Sequence, residues 1–153
     1  MFILVSGCVS VSLDRSEVRR SDAYKFAVPP SPFRAHQAPQ VDHAWKNAQS
    51  GSIISVVSEC APNFDPSLQI LRDDVVRSLT SLEVKAEKNL TFQGREALRT
   101  LVHGRVDGVD SAVDLLVFKK NGCSYILNLI GGPQTITPDL PRFEAFLSRF
   151  EVP

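Results

Sequence analysis

Residues 95–130 read REALRTLVHGRVDGVDSAVDLLVFKKNGCSYILNLI, and this stretch decides the fold. Apolar and polar residues alternate over much of it, which predicts β-strands. Asp107-Gly108 and Asn121-Gly122 divide the stretch, and both dipeptides are typical of tight turns between antiparallel strands. The stretch therefore predicts an antiparallel meander of about four strands when the residues just before it are included. Its last strand, residues 123–130, is apolar enough to lie centrally in the sheet beneath a helix.

Two amphipathic helices are predicted on either side of this meander. The first begins at Asp65-Pro66, because the Asp side chain can cap free N–H groups and proline is tolerated at the first helical position. Its apolar stripe continues for about four turns at helical spacing. The stripe consists of Leu68, Leu71, Val75, Leu79 and Leu82. The second helix lies at the C-terminus and carries the stripe Phe143, Phe146, Leu147 and Phe150.

Further strands precede the first helix. Residues 52–60 form an apolar run that predicts a strand buried on both faces, and residues 24–28 alternate as in a short edge strand. Together the elements predict an α+β domain. We expect an antiparallel sheet of about five to six strands, with one long helix and a C-terminal amphipathic helix packed on it.

Length and charge limit the classes of function. The 153 residues suit one domain. Basic and acidic residues number 17 each, so the chain has no net charge with which to hold a nucleic-acid backbone. No apolar stretch of the sequence reaches the roughly 20 residues that span a bilayer. Contact with a membrane therefore requires a lipid anchor or a partner, and nucleic acid is not an expected partner.

The N-terminus resembles the processing site of bacterial lipoproteins. Val5-Ser6-Gly7-Cys8 matches the lipobox, in which an apolar residue and two small residues precede a cysteine. The resemblance implies that Cys8 carries a diacylglycerol and becomes the mature N-terminus. The apolar segment before it is shorter than a secretory leader and lacks a basic region. Either Met1 lies inside a longer signal peptide, or the segment is an ordinary strand that ends in a Gly-Cys turn.

The lipoprotein interpretation divides the chain into three segments. Residues 1–8 are a truncated signal with its lipobox, residues 9–43 a proline-containing tether, and residues 44–153 the globular domain. Val9 stands where an Asp would retain an enterobacterial lipoprotein at the inner membrane. We therefore expect the protein in the bacterial cell envelope, anchored at the periplasmic face of the outer membrane.

Cys60 and Cys123 remain once Cys8 is assigned to the lipid. Each lies at the end of a predicted strand, and a cysteine pair in an exported chain predicts a disulfide. Such a bridge closes a loop of about 64 residues and contributes about 4 kcal/mol of stability. Two alternatives stay open. The cysteines are buried free thiols of a cytosolic protein, or Cys60 is a reactive thiol with His43 or His103 as its base.

The region from about residue 45 to residue 150 resembles the PsbP-like fold. The resemblance rests on the order of elements and on a few side chains, which are Gly94 to Ala97, Tyr125 to Leu127, and Phe143, Phe146 and Phe150. This fold is shared by photosystem extrinsic proteins, DcrB-type bacterial lipoproteins and a Ran-binding import factor. The chain also resembles proteobacterial lipoproteins with an Asp-x-x-Trp segment, here Asp42 to Trp45. Both resemblances imply a binding or assembly module, and neither supplies a catalytic residue.

Motifs for catalysis, cofactors or metals are missing from the sequence. There is no glycine-rich phosphate loop, Cys-x-x-Cys, His-Glu-x-x-His or Gly-x-Ser-x-Gly. We therefore predict neither a cofactor nor a metal. Trp45, Arg95 and Glu96 are the candidate contacts for a ligand or partner, since Trp45 precedes the first core strand and the other two follow a glycine at a sheet end. The favoured alternative for Trp45 is a core residue, and for Arg95 and Glu96 an ordinary strand start after a turn.

The sequence thus predicts a lipid-anchored envelope protein that is not an enzyme. It would act as a binding, assembly or transport-accessory module for an unknown envelope protein or a small apolar ligand. Two other functions remain open at this point. One is a cytosolic interaction module with free thiols, and the other is a small hydrolase that uses Cys60 or a serine.

Overall fold

The computed structural model describes residues 18–153. The lipobox, with Cys8 and its expected lipid, lies outside the described residues. Among the described residues, no helix is both long enough and apolar enough to cross a bilayer.

One antiparallel sheet of seven strands forms the body of the domain, in the order β1-β2-β3-β7-β6-β5-β4. The strands are β1 (Phe33–Ala35), β2 (His43–Asn47), β3 (Ile53–Cys60), β4 (Thr80–Phe92), β5 (Arg95–Val106), β6 (Val109–Lys120) and β7 (Cys123–Gly131). The helices are α1 (Leu68–Val76) and α2 (Leu140–Leu147), the latter preceded by a 3-10 turn over Thr137–Asp139. The α+β class is confirmed. The expected strand count was low, because β1 is only three residues long and carries no clear pattern.

The meander forms as expected around its two glycine turns. Asp107 and Gly108 both have positive φ, as do Asn121 and Gly122, which is the conformation of a two-residue type I′ hairpin turn. Gln93 and Gly94 form a third turn of this kind, with φ of 53° and 72°. This third turn joins β4 to β5. It lies at the same end of the sheet as the Asn121-Gly122 turn, and this end carries the groove described below.

Helix α1 is much shorter than predicted. It begins after Ser67, whose hydroxyl accepts a hydrogen bond from the Ile70 N–H at 3.2 Å, so Asp65-Pro66 is not the cap. It ends near Val76, because the chain must turn to pair β4 with β5 from Thr80 onward. The expected stripe member Leu82 therefore belongs to β4 and is exposed.

Both faces of the sheet carry an apolar layer. Helix α2 covers one face and carries Phe143, Phe146 and Leu147 of the predicted stripe, while Phe150 follows the end of the helix. All four residues are no more than 5% exposed. Helix α1 covers the other face and packs against a smaller cluster that includes Leu98, Val102 and Ile126. Because both faces are covered, every residue from 112 to 118 of β6 is buried, including the polar Asp114.

Residues 19–25, here called the strap, lie against the sheet. Arg19 exchanges backbone hydrogen bonds with Cys60, and Lys25 does so with Glu151. Between these points Tyr24 stacks on Phe150 with ring centroids 5.3 Å apart. These contacts lie ahead of residue 44, where the sequence analysis set the start of the globular domain. The strand expected over residues 24–28 is reduced to a single antiparallel bridge between Lys25 and Glu151, and the alternation of the segment reflects the burial of Tyr24 and Phe26.

Candidate functional site

A groove at one end of the sheet brings Arg95 and Glu96 together. It encloses about 580 Å³ and is open to solvent. Its walls come from the loop after β3, the start of α1 and the strand ends at the two neighbouring turns. The lining residues that matter below are Phe64, Asp65, Arg95, Glu96, Lys119 and Lys120.

The local sequence explains why these side chains meet. Arg95 directly follows the Gln93-Gly94 turn, and Lys120 directly precedes the Asn121-Gly122 turn. Antiparallel pairing of β5 with β6 then sets the beginning of one strand beside the end of the other. The spacing of the two turns in the sequence is the signal from which the position of Lys119 and Lys120 beside Arg95 was predictable.

The groove has a small surplus of positive charge. Three basic residues line it against two acidic ones. Lys119 pairs with Asp65 at 2.6 Å, and the Lys120 ammonium donates to the Gln93 carbonyl at 3.2 Å. Arg95 and Glu96 are exposed, and the Phe64 side chain is 59% exposed although it is aromatic. The groove therefore offers cationic donors beside an apolar ring.

A disulfide between Cys60 and Cys123 stands at the edge of the groove. The two residues are directly paired in the register of β3 and β7, with Cα atoms 4.1 Å apart. The structure thus contains the pairing that the sequence predicted. A cysteine in a disulfide has no thiolate, so the alternatives that need a free Cys60 do not fit the structure. Disulfides persist in oxidising compartments, which indicates an extracytoplasmic location.

Trp45 lies away from the groove. Its side chain is 5% exposed and packs against Phe26 and Phe146, with centroids 5.3 and 5.4 Å away, while His43 stacks over it. It also borders a second hollow of about 680 Å³ along residues 35–45. The structure therefore places Trp45 in the core, as one of its two interpretations expected, and does not bring it together with Arg95 and Glu96.

A polar cluster beneath the strap was missed by the sequence analysis. Its centre is Asp42, whose side chain is 5% exposed. One carboxylate oxygen accepts hydrogen bonds from the Ser58 hydroxyl, the Ser58 N–H and the Tyr24 hydroxyl, at 2.5, 3.0 and 3.0 Å. The Arg20 guanidinium lies 3.3 Å from the other oxygen. This oxygen has ionic contact but no well-aligned hydrogen bond. The cluster fixes the strap to the sheet.

Metal-binding potential is low in the part of the chain that the structure covers. No group of three or more His, Cys, Asp or Glu side chains there is arranged to hold an ion. His43 stacks among aromatic rings, and His103 lies on β5, paired with Glu83 and Ala112 in register. Neither histidine lines the groove.

Comparison with solved structures shows the fold class. The chain has the PsbP-like fold: it is similar to the cyanobacterial PsbP protein, CyanoP, of Synechocystis, with a TM-score of 0.59 and 16% identity over 97% of this chain and 99% of that one. It is also similar to LpqN of Mycobacterium tuberculosis, a protein involved in cell envelope biogenesis, with a TM-score of 0.62 and 11% identity over 89% and 92% of the two chains.

A third similar structure is PA94 of Pseudomonas aeruginosa, a protein of unknown function, with a TM-score of 0.53 and 12% identity over 82% of this chain and 78% of that one. No family model and no curated protein matches the sequence. None of the three similar structures is described as an enzyme. At these identities the likeness defines the fold, and function has to be argued from the site.

Proposed function

We propose that the protein is a non-catalytic binding or assembly module of the bacterial cell envelope, held at a membrane by a diacylglycerol on Cys8. The observation that carries the proposal is the Cys60–Cys123 disulfide, which belongs to an oxidising compartment. The shared fold with LpqN, itself involved in cell envelope biogenesis, supports it. The sorting pattern at Val9 favours the periplasmic face of the outer membrane.

The groove is the contact surface in this proposal. It combines exposed charge at Arg95 and Glu96 with an exposed ring at Phe64, and such mixed surfaces suit recognition. The second hollow, along residues 35–45, is lined by no lysine or arginine and by no exposed large apolar side chain. An envelope partner or a small ligand with an apolar part therefore finds its contacts at the groove.

The test is the intact mass of the membrane fraction, recorded without reductant after expression with the native upstream region in a bacterial host. We expect a diacylated product that begins at Cys8 and lacks two hydrogens because of the disulfide. A Cys8→Ser variant is the matched control and should leave the membrane fraction while keeping the disulfide. A soluble, reduced product that retains Met1 would contradict the proposal and favour a cytosolic interaction module.

A further inference from the structure

We infer that the groove end of the domain faces the bilayer and that the groove binds the headgroup of an anionic phospholipid. The inference deepens the proposed function and rests on it in one respect, the attachment of a lipid at Cys8. Four features of the chain lead to it: the length of the tether, the point where the tether joins the domain, the distribution of charge, and the exposed ring of Phe64.

The tether reaches the domain at the groove. Eleven residue steps separate Cys8 from Arg19, and they span at most about 36–40 Å when fully extended. The chain then meets the domain at Arg19, whose backbone exchanges two hydrogen bonds with Cys60 at 3.1 and 2.8 Å. Ala61, the next residue after Cys60, lines the groove. The lipid therefore holds the groove end near the membrane surface.

The opposite end of the sheet can take this place only if the chain between Cys8 and Arg19 is almost fully extended. Strand β5 runs for 12 residues from Arg95 at the groove to Val106 beside the Asp107-Gly108 turn. At about 3.3 Å per residue these ends are about 36 Å apart. If the Asp107-Gly108 turn touched the bilayer, Arg19 would lie close to the full reach of the chain from Cys8. Such extension costs conformational entropy at every residue, so chain length favours the orientation with the groove at the membrane.

Charge favours the same orientation. The groove carries Arg95, Lys119 and Lys120 against two carboxylates, while the opposite turn carries Asp107 and Asp110 against the single base Arg105. An anionic surface attracts the first end and repels the second. Charge is thus unevenly distributed between the two ends of the strands although the 153-residue chain has no net charge.

The groove has the chemistry of a phosphate site. An arginine fork matches phosphate oxygens in pairs, and a lysine supplies a compact charge. Asp65 holds Lys119 only from an exposed position, with its side chain 88% in solvent, and exposed ion pairs of this kind are weak. Lys120 has further donors beyond its one hydrogen bond to Gln93. A headgroup phosphate can therefore replace or join these contacts at little cost.

Phe64 supplies the apolar contact beside the charges. Its ring is 59% exposed at the rim of the groove, and aromatic side chains next to basic groups insert into the boundary between headgroups and acyl chains. A site of this size binds weakly by itself. The anchor raises the local concentration of headgroups around it, so that a weak site is sufficient.

The test uses the full chain coupled through Cys8 to a maleimide lipid in vesicles, since the other two cysteines are joined in the disulfide. Phe64→Trp places a fluorophore at the groove, and Val109→Trp is the matched control, because Val109 is 66% exposed at the opposite end of the sheet. Trp45 gives the same background in both. Brominated phosphatidylglycerol should quench Phe64→Trp strongly and Val109→Trp weakly, and brominated phosphatidylcholine should quench both weakly.

Charge variants identify the groove as the cause. Arg95→Gln, Lys119→Gln and Lys120→Gln together should abolish the phosphatidylglycerol-dependent quenching of Phe64→Trp. Arg77→Gln, Lys85→Gln and Arg105→Gln make the same change in total charge away from the groove and should preserve it. Equal quenching at the two tryptophans, or equal quenching by the two lipids, would overturn the inference and leave the groove to a protein partner. The chemical anchor keeps this result independent of whether cells acylate Cys8, which the intact mass decides.

Discussion

Two hydrogen bonds join the Arg99 guanidinium on β5 to the Asp114 carboxylate on β6 beneath helix α2, with nitrogen to oxygen distances of 2.7 and 2.8 Å. The Asp114 side chain is 8% exposed and the Arg99 side chain 16%. The same guanidinium contacts Glu144 of α2 at 2.6 Å and lies 5.3 Å from the centre of the Phe143 ring. This one cation therefore joins the sheet to the helix that covers it.

Removal of either member of the buried pair should destabilise the domain. Arg99→Met leaves the buried Asp114 carboxylate without its partner, and Asp114→Asn leaves Arg99 with only the exposed Glu144, so each should cost about 3 kcal/mol. Glu144→Gln should cost less than about 1 kcal/mol, because Glu144 is 57% exposed. Urea unfolding measures all three. Equal losses for Glu144→Gln and Asp114→Asn would show that the buried pair is not the dominant link.

The charge on Arg99 should not change over accessible pH. Burial works against the charged guanidinium, but hydrogen bonds and the charges of Asp114 and Glu144 together raise its pKa above the ordinary value. A raised pKa means that the stabilisation is complete below the pKa of the unfolded chain, which for arginine is above about 12. The loss of stability in Arg99→Met should therefore be the same at pH 7 and pH 10 in urea unfolding. A loss that shrinks between these values would contradict this.

The disulfide should contribute a large part of the stability. Cys60→Ser with Cys123→Ser frees a loop of about 64 residues in the unfolded chain and should cost about 4 kcal/mol. The measurement is urea unfolding with and without dithiothreitol. Reductant should destabilise the native sequence and leave the double variant unchanged. A loss below about 1 kcal/mol would show that the paired strands β3 and β7 need no covalent link.

Tyr24 should make the domain sensitive to alkali. Burial raises the pKa of its phenol well above the ordinary value, and the charge of Asp42 and its hydrogen bond add to the rise. The proton is therefore kept in the folded chain and lost from the unfolded chain above pH about 10. The stabilisation is complete below that pH and declines as pH increases beyond it. Tyr24→Phe should flatten this decline in urea unfolding from pH 7 to pH 11, and identical slopes would contradict the assignment.

Gly131 is required by its neighbour Ser52. A Cβ at position 131 would stand 2.6 Å from the Ser52 hydroxyl oxygen, which is buried and has no hydrogen-bond partner in the part of the chain described. Gly131→Ala should therefore cost about 2 kcal/mol through overpacking. Ser52→Ala removes the clashing oxygen and should rescue most of that loss in the double variant. Additive losses in thermal or urea unfolding would show that Ser52 is not the obstacle.

Local sequence patterns predicted the elements in which buried residues recur at a regular spacing. The glycine turns at residues 107–108 and 121–122 predicted the meander, and the apolar stripe that begins at Phe143 predicted α2. The predicted length of α1 was wrong. Its apolar stripe continues through Leu79, but the chain has already left the helix there, because β4 must pair with β5. No residue pattern near position 80 reports that distant pairing.

The groove was only partly predictable for the same reason. Arg95 and Glu96 were found from their position after a turn, but Lys119, Lys120 and Phe64 needed the strand register and the path of the loop after Cys60. The buried Asp42 cluster joins Asp42 to residues 16 to 22 positions away in the chain, and it forms only when the strap lies across β3. Such contacts belong to the tertiary structure.

The bond between Cys60 and Cys123 also sets how the domain responds to a mechanical pull on its N-terminus. Tension on the N-terminus reaches Arg19 first and separates the strap from Cys60 before it separates Lys25 from Glu151. Strands β1 and β2 can follow, since they lie at the edge of the sheet. Beyond Cys60 the load passes through sulfur atoms directly to β7, so residues 61–122 add no length to the extended chain. A pull on the N-terminus thus extends residues 19–60 at most before the load reaches β7, while residues 61–122 stay closed by the disulfide.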